Sequence, residues 1–257
     1  MTTNNFNFQL KTIVHAQENG IENIPSLFAR LGAKRVVLFS DKGLESLGFV
    51  EQFSALFANQ TVNQEANQQT TQLVGVYTDI APDATCDNIN AAIEFANSLN
   101  ADAILSVGGG SVIDASKGVK YALHKQIDDI RTVIAGGGFM EVWPNNEDIR
   151  VPHIAVPTTA GTGAEASPIA VFYNEHENIK ASLVASGLEA DIAILDPTVT
   201  TKLPAHLTRS TAMDALTHAV EAIVSPMSNA FTDAYGIQAA KLIVENLPVA
   251  LEEPENL

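Results

Sequence analysis

Five short apolar runs recur along the chain up to residue 195, and segments of helical periodicity lie between them. The runs are Lys34 to Ser40, Leu73 to Tyr77, Asp102 to Val107, Val151 to Val156 and Asp191 to Leu195. Each is too short for an independent helix and rich in Val, Ile and Leu, which suits a buried strand. In the stretch Asn88 to Leu99, Ile89, Ile93, Ala96 and Leu99 share one helical face. Strands alternating with amphipathic helices imply a mainly parallel sheet covered on both faces, so the fold class is α/β.

After Asp196-Pro197 no further strand pattern follows. Ser210 to Val224 carries Met213, Leu216, Val220 and Val224 at helical spacing, and Pro226 stops it. Ser228 or Asn229 is placed to cap a second helix through Asn246, which Pro248 is expected to end. The pattern gives an α/β domain over residues 1–196, then the first part of an all-helical domain over 197–257. No internal repeat is evident. Asn59 to Gln72 is polar and low in complexity, as expected of an exposed loop or helix face.

Charge narrows the function classes. The 257 residues carry 30 acidic and 14 basic side chains, a net charge of -16. That balance repels a nucleic-acid backbone and an anionic membrane surface, so neither is an expected partner. Cys86 is the single cysteine, which excludes an intrachain disulfide and fits a reducing cytoplasm. The N-terminus lacks the basic and apolar regions of a signal peptide. No apolar run approaches the roughly 18 residues of a membrane span. The expectation is a soluble cytoplasmic protein.

Nine of the 16 glycines fall between residues 108 and 163. Gly108-Gly109-Gly110-Ser111 directly follows the third run and precedes a helical segment, Val112 to Leu123. Such a turn aims backbone N–H groups and a helix N-terminus into one space, and glycines let a pyrophosphate approach closely. It matches neither G-x-G-x-x-G, because residue 113 is Ile, nor the Walker A pattern. A tight turn that binds nothing is the alternative. Pro157 to Glu165 follows the fourth run, and Thr158, Thr159 and Thr162 offer hydroxyls at a strand's C-terminal edge, where open α/β sheets bind ligands. The alternative there is a Thr-rich surface loop. Gly136-Gly137-Gly138 reads as a loop. Asp41, just past the first run, is either an acceptor for an adenosine ribose, favouring NAD over NADP, or a helix N-cap.

Asp214 and His218 are four residues apart and so differ by about 40° around a helix. A carboxylate and an imidazole so placed can share one divalent cation, or simply form a helical ion pair. The six histidines are at 15, 124, 153, 176, 206 and 218, and none follows His218.

Taken together these segments resemble the iron-containing (group III) alcohol dehydrogenase family. The likeness begins at Lys11 to Val14 and Leu31 to Arg35, continues through Asp41 to Leu44 and Gly108 to Lys117, and then takes in Pro157 to Glu165, Lys180, Asp196-Pro197 and Met213 to Glu221. Several long motifs in order are far more specific than any one glycine turn. The resemblance implies an N-terminal nucleotide-binding domain and a C-terminal helical domain, the dehydroquinate synthase-like architecture, with the active site in the cleft. It implies NAD as cofactor. Gly108, Gly109, Gly110 and Ser111 would hold the pyrophosphate and Asp41 would lie at the adenosine ribose. Thr158, Thr159 and Thr162 would line the cofactor, with Lys180 near the nicotinamide ribose. Asp214 and His218 would be two of four ligands to Fe2+, or to Zn2+. The implied reaction is metal-assisted hydride transfer between a small alcohol or aldehyde and nicotinamide, in a homodimer.

Family members are longer, and their remaining two histidine ligands lie downstream of residue 257. The sequence therefore reads as C-terminally truncated, and a catalytically inactive dinucleotide-binding fragment is the second reading. A lyase resembling dehydroquinate synthase is the third. It would need clustered basic residues for a phosphorylated substrate, and few Lys or Arg accompany these motifs.

Overall fold

The computed structural model describes residues 6, 8–58 and 70–256. They divide into two compact units, one of residues 11–157 and 164–196, the other of the residues up to Leu10, Thr158–Gly163 and the chain from Pro197 onward. Most of the polar segment 59–72 lies outside the described residues.

The first unit is built on six parallel strands: β1 (Ile13–Ala16), β2 (Arg35–Phe39), β3 (Gln72–Tyr77), β4 (Ala103–Gly108), β6 (His153–Pro157) and β9 (Ile192–Leu195). Their order is β1-β9-β6-β4-β2-β3. All six residues of β4 are buried, as its near-continuous apolar run requires of a central parallel strand. The five apolar runs of the sequence thus become β2, β3, β4, β6 and β9. A second sheet, β5-β8-β7, comprises β5 (Gly138–Glu141), β7 (Ile169–Asn174) and β8 (Ile179–Ala185), with β7 and β8 antiparallel. Sequence periodicity missed these three strands and β1. The glycine cluster read as a loop ends inside β5, because Gly138 pairs with Ser182 at a separation that leaves a Cβ only 3.1 Å from the Ser182 carbonyl.

The helices of this unit are α1 (Ile24–Arg30), α2 (Lys42–Ser46), α3 (Phe49–Ala58), α4 (Cys86–Ser98) and α5 (Gly110–Lys125). Thr85 caps α4, and Ile89, Ala92, Ile93 and Ala96 form its buried stripe. That stripe packs with Val112, Ala115 and Val119 of α5 and with Ala170, Phe172, Ala181 and Leu183 of the small sheet in one core. Alternate burial along β7 and β8 turns those residues inward. Gly118 permits the approach, since a Cβ there would lie 3.0 Å from Phe172 and 3.1 Å from Ile89.

The second unit contains α6 (Ala205–Val224) and α7 (Ala230–Glu252). Helix α6 begins five residues before the expected Ser210, directly after Pro204, whose fixed φ suits a helix entrance. Asn229 caps α7 in a reciprocal capping box with Thr232. The expected stop at Pro248 is wrong: α7 continues to Glu252. A proline there forfeits one bond, to the Val244 carbonyl, and Val244 is 63% exposed, where water can serve that carbonyl. Gly236 sets the crossing of the two helices, as a Cβ would sit 2.8 Å from the Ala219 carbonyl oxygen. Phe8 stacks on Phe231 and Tyr235 in the same unit.

Candidate functional site

Strand order marks where the first half of the candidate site is sought. From β2 the chain moves outward to β3, whereas from β4 it continues on the other side, to β6 and β9. The reversal lies between the C-terminal ends of β2 and β4, the position where open α/β sheets bind ligands. Asp41 follows β2, and Gly108 to Ser111 follow β4. The ends are locked together by Ser40, whose hydroxyl donates to the Val107 carbonyl at 2.9 Å.

Glycine is required at 108, because a Cβ would fall 2.6 Å from the Val112 side chain. Gly109 is the extended N-cap of α5 and supplies no capping side chain. The first-turn N–H groups therefore keep their capacity for an anion, reinforced by the dipole of a 16-residue helix. Ser111 is fixed beside them, its Oγ accepting from the Asp83 amide at 3.1 Å. Asp83 in turn holds Lys180, Nζ to Oδ1 at 2.6 Å. Asp83 and Ala84 both adopt positive φ, 65° and 49°. Three residues far apart in the chain, 83, 111 and 180, are thus joined beside the first turn of α5. Asp41 serves as the N-cap of α2, accepting from the Leu44 amide at 2.9 Å through Oδ1.

A lysine lies beside Asp41. Lys42 Nζ bonds Thr78 Oγ1 at 2.7 Å and Glu45 Oε2 at 3.0 Å, with Asp79 Oδ1 at 3.2 Å. These partners, Glu45 first, hold the ammonium above its ordinary pKa, and the same bond holds Glu45 below the usual carboxylate range.

In the second unit, Thr158 is buried, Thr159 half-buried and Thr162 exposed. Their loop presses on α6 at Gly161, where a Cβ would be 2.9 Å from the Cβ of Thr211. Asp214 and His218 project from the next turns of α6, Nε2 to Oδ1 at 3.8 Å, with side chains 45% and 53% exposed. The two side chains face each other one turn apart, as their spacing allows. A carboxylate and an imidazole this close and this accessible also fit as two ligands of one divalent cation. Among the described residues no group of three or more His, Cys, Asp or Glu side chains is placed to hold a metal ion.

The sequence signature of iron-containing alcohol dehydrogenases matches residues 11–197, and that of the C-terminal part of the same family matches 208–257. The chain belongs to the iron-containing alcohol dehydrogenase family. It is 30% identical over 240 residues to the NAD-dependent methanol dehydrogenase of Bacillus methanolicus, covering 92% of this chain and 58% of that protein. It is 34% identical over 184 residues to a 1-propanol dehydrogenase of Citrobacter freundii, 72% of this chain and 44% of that one. Among solved structures it superposes on an alcohol dehydrogenase from Oenococcus oeni with a TM-score of 0.85 at 31% identity, over 98% of this chain and 62% of that chain. It superposes on a sulfoacetaldehyde reductase from Bifidobacterium kashiwanohense, solved with NAD+, with a TM-score of 0.82 at 25% identity, again over 98% and 62%. The chain thus spans less than two thirds of the length of these relatives.

This member of the iron-containing alcohol dehydrogenase family also holds a buried polar layer that sequence reading passed over. Lys117 is fully buried, donating to the Ile169 carbonyl at 2.6 Å, to Ser167 at 3.3 Å and to Asp114 at 3.3 Å. Asp114 accepts the Val171 amide at 3.0 Å, so two side chains of α5 serve the backbone of β7 as a neighbouring strand would. Lys120 donates to the Glu189 carbonyl at 2.7 Å. Burial raises the Asp114 pKa and lowers those of Lys117 and Lys120. His153, wholly buried, meets Ser106 at 2.8 Å through Nε2, while its Nδ1 has no partner. Burial, and then the nearby Lys120 and Lys117 charges, keep it neutral, with a pKa well below the ordinary one. The signal was present in the sequence: Lys117 and Lys120 lie on the helical stripe of Ile113, where a solvated lysine would not sit.

Proposed function

We propose that this chain carries the cofactor-binding machinery of an NAD-dependent alcohol dehydrogenase, acting in hydride transfer between a small alcohol or aldehyde and nicotinamide. The observation that carries the reading is the uncapped N-terminus of α5 at the strand-order reversal, with Asp41 across the crevice. The amides after Gly108 bind the pyrophosphate, and Ser111, held by Asp83, keeps the turn in shape. Asp41 accepts from the adenosine ribose through the carboxylate oxygen that the cap leaves over, Oδ2. Lys180, tethered by Asp83, donates to the nicotinamide ribose. Thr158, Thr159 and Thr162 line the cofactor, and the chain contributes positioning, while the hydride chemistry belongs to the coenzyme.

Asp214 and His218 are the proposed ligands of Fe2+ or Zn2+, two of the four that a tight site requires. When bound, such a cation supplies Lewis acidity toward the substrate oxygen. The dependence on NAD and on a metal, the alcohol or aldehyde as substrate, a cytoplasmic location and a homodimer are parts of the same proposal. For the dimer, β1 is the edge of the large sheet and exposes Ile13 (58%) and Val14 (46%). No helix among the described residues is long and apolar enough to cross a membrane.

NADH titration followed by fluorescence tests the cofactor half. The parent binds, and Gly109→Asp does not, since its carboxylate would face the pyrophosphate. Equal binding by the two proteins removes the glycine turn from the cofactor site. Elemental analysis of protein purified without air or chelators tests the metal half. About one iron or zinc per chain is expected for a completed site, falling on Asp214→Ala or His218→Ala. Absence of bound metal from the parent overturns this half.

A further inference from the structure

The ends of β2 and β3 carry a charge arrangement that the cofactor reading does not use. Phe39 and Tyr77 are Cα partners at the last register position of the two strands. The segments that follow, Ser40–Leu47 and Thr78–Ala84, contain four carboxylates, Asp41, Glu45, Asp79 and Asp83, and a single cation, Lys42. Lys42 is therefore the one group on these segments able to pair with a phosphate near the Asp41 carboxylate. Yet its ammonium already has three partners, Thr78 at 2.7 Å, Glu45 at 3.0 Å and Asp79 at 3.2 Å. Thr78 Oγ1 also bonds Glu45 at 3.1 Å, which closes the arrangement into a ring. With three donors in all, the ammonium has none left over.

We propose that Lys42, held by Glu45, Thr78 and Asp79, determines coenzyme selectivity: the clamp withholds the one cation of these two segments from a 2′-phosphate. The inference rests on the reading of Asp41 as the ribose acceptor, and it assigns selectivity to residues other than Asp41. An unphosphorylated ribose needs an acceptor, which Asp41 supplies. A 2′-phosphate brings two negative charges and needs donors, which the rim has engaged elsewhere.

The test uses NADH and NADPH titrations on the full chain, because binding reads the clamp without requiring turnover. In Glu45→Gln/Asp79→Asn, NADH affinity stays within about twofold of the parent while NADPH affinity rises about tenfold, the scale of one screened pair between the freed ammonium and a phosphate. The gain shrinks as salt rises from 20 to about 200 mM. Adding Lys42→Ala to the double variant abolishes the gain, because the freed ammonium supplies it. All of these side chains are exposed, and a thermal melt checks that each variant is folded. Unchanged NADPH affinity in the double variant, with NADH still bound, overturns the clamp and leaves the cofactor reading standing. A gain that survives Lys42→Ala also overturns it, since charge removal alone would then suffice. If the parent binds neither coenzyme, the cofactor reading fails and the clamp fails with it.

Discussion

Replacing Lys117 by Met should destabilise the protein more than almost any other single change that conserves volume. The ammonium is fully buried, and its removal leaves the Asp114 carboxylate, itself only 17% exposed, facing no cation. The Ile169 carbonyl would lose its 2.6 Å donor and keep only the longer bond from Ser167, at 3.4 Å. Breaking a buried pair from one side typically costs ~3–5 kcal/mol, because the surviving charge has been taken out of water without compensation. For a chain of this size each kcal/mol moves the melting temperature by about 2–4 °C, so a fall of about 6–20 °C is expected.

The same physics predicts a rescue. Burial drives Asp114 upward and Lys117 downward in pKa, both toward neutrality, so desolvation outweighs the mutual attraction of the pair. Asp114→Asn retains a carbonyl acceptor for the Val171 amide and removes the charge. The double variant Asp114→Asn/Lys117→Met should therefore recover more than half of the loss, whereas either single change leaves one buried charge unpaired. Calorimetric melts of the three variants at pH 7 read both statements. A Lys117→Met protein melting within about 2 °C of the parent, or a double variant no better than the singles, would refute the reasoning.

Three further outcomes are expected. His153 is neutral in the folded state with a depressed pKa, so the unfolded chain binds the extra proton and stability falls as pH drops below 6.5. Between pH 7 and 5 the parent should lose about 2 kcal/mol more than His153→Gln in urea titrations, and parallel losses would exclude His153 as the cause. Gly236→Ala should lower stability by about 1–3 kcal/mol despite better helix propensity, because its Cβ meets the Ala219 carbonyl at 2.8 Å; a stabilised variant would mean that α6 and α7 can separate freely. Asn229→Ala should cost about 1 kcal/mol and speed hydrogen exchange at Phe231 and Thr232, the amides that its side chain caps.

What the sequence disclosed, and what it concealed, follows from the range of the interactions. The central strands were legible because a parallel strand buried on both faces reads as an unbroken apolar run, as in Ala103 to Val107. Strands β7 and β8 alternate instead, and β7 exposes Ile169 and Val171 among its inward residues, so only the period of two distinguishes it. The edge strand β1 has no buried residue to betray it. The glycine turn was legible because strand, turn and helix are contiguous. Its supports were not: Asp83 reaches Ser111 across 28 residues and Lys180 across 97. The lysines of α5 were overlooked for another reason, since composition treats lysine as surface, and only their place on the Ile113 stripe marks them as buried.

These long-range bonds bear on how the cofactor half would work. Helix α5 is tied to the rest of its unit by Lys117 to Ile169, Asp114 to Val171 and Lys120 to Glu189, and its first turn by Ser111 to Asp83. None of these bonds needs a ligand to form. An anion meeting the α5 N-terminus would therefore encounter amides already aimed and would bear little ordering cost, which is how a short uncapped turn can bind a pyrophosphate. Asp214 and His218 lack such support: they sit half-exposed on α6 with each other as partner at 3.8 Å, and their side chains keep rotamer freedom that a cation would have to remove. Pre-organisation therefore separates the two halves. Cofactor affinity should survive changes that abolish metal binding, because the bonds that shape the glycine turn include neither Asp214 nor His218.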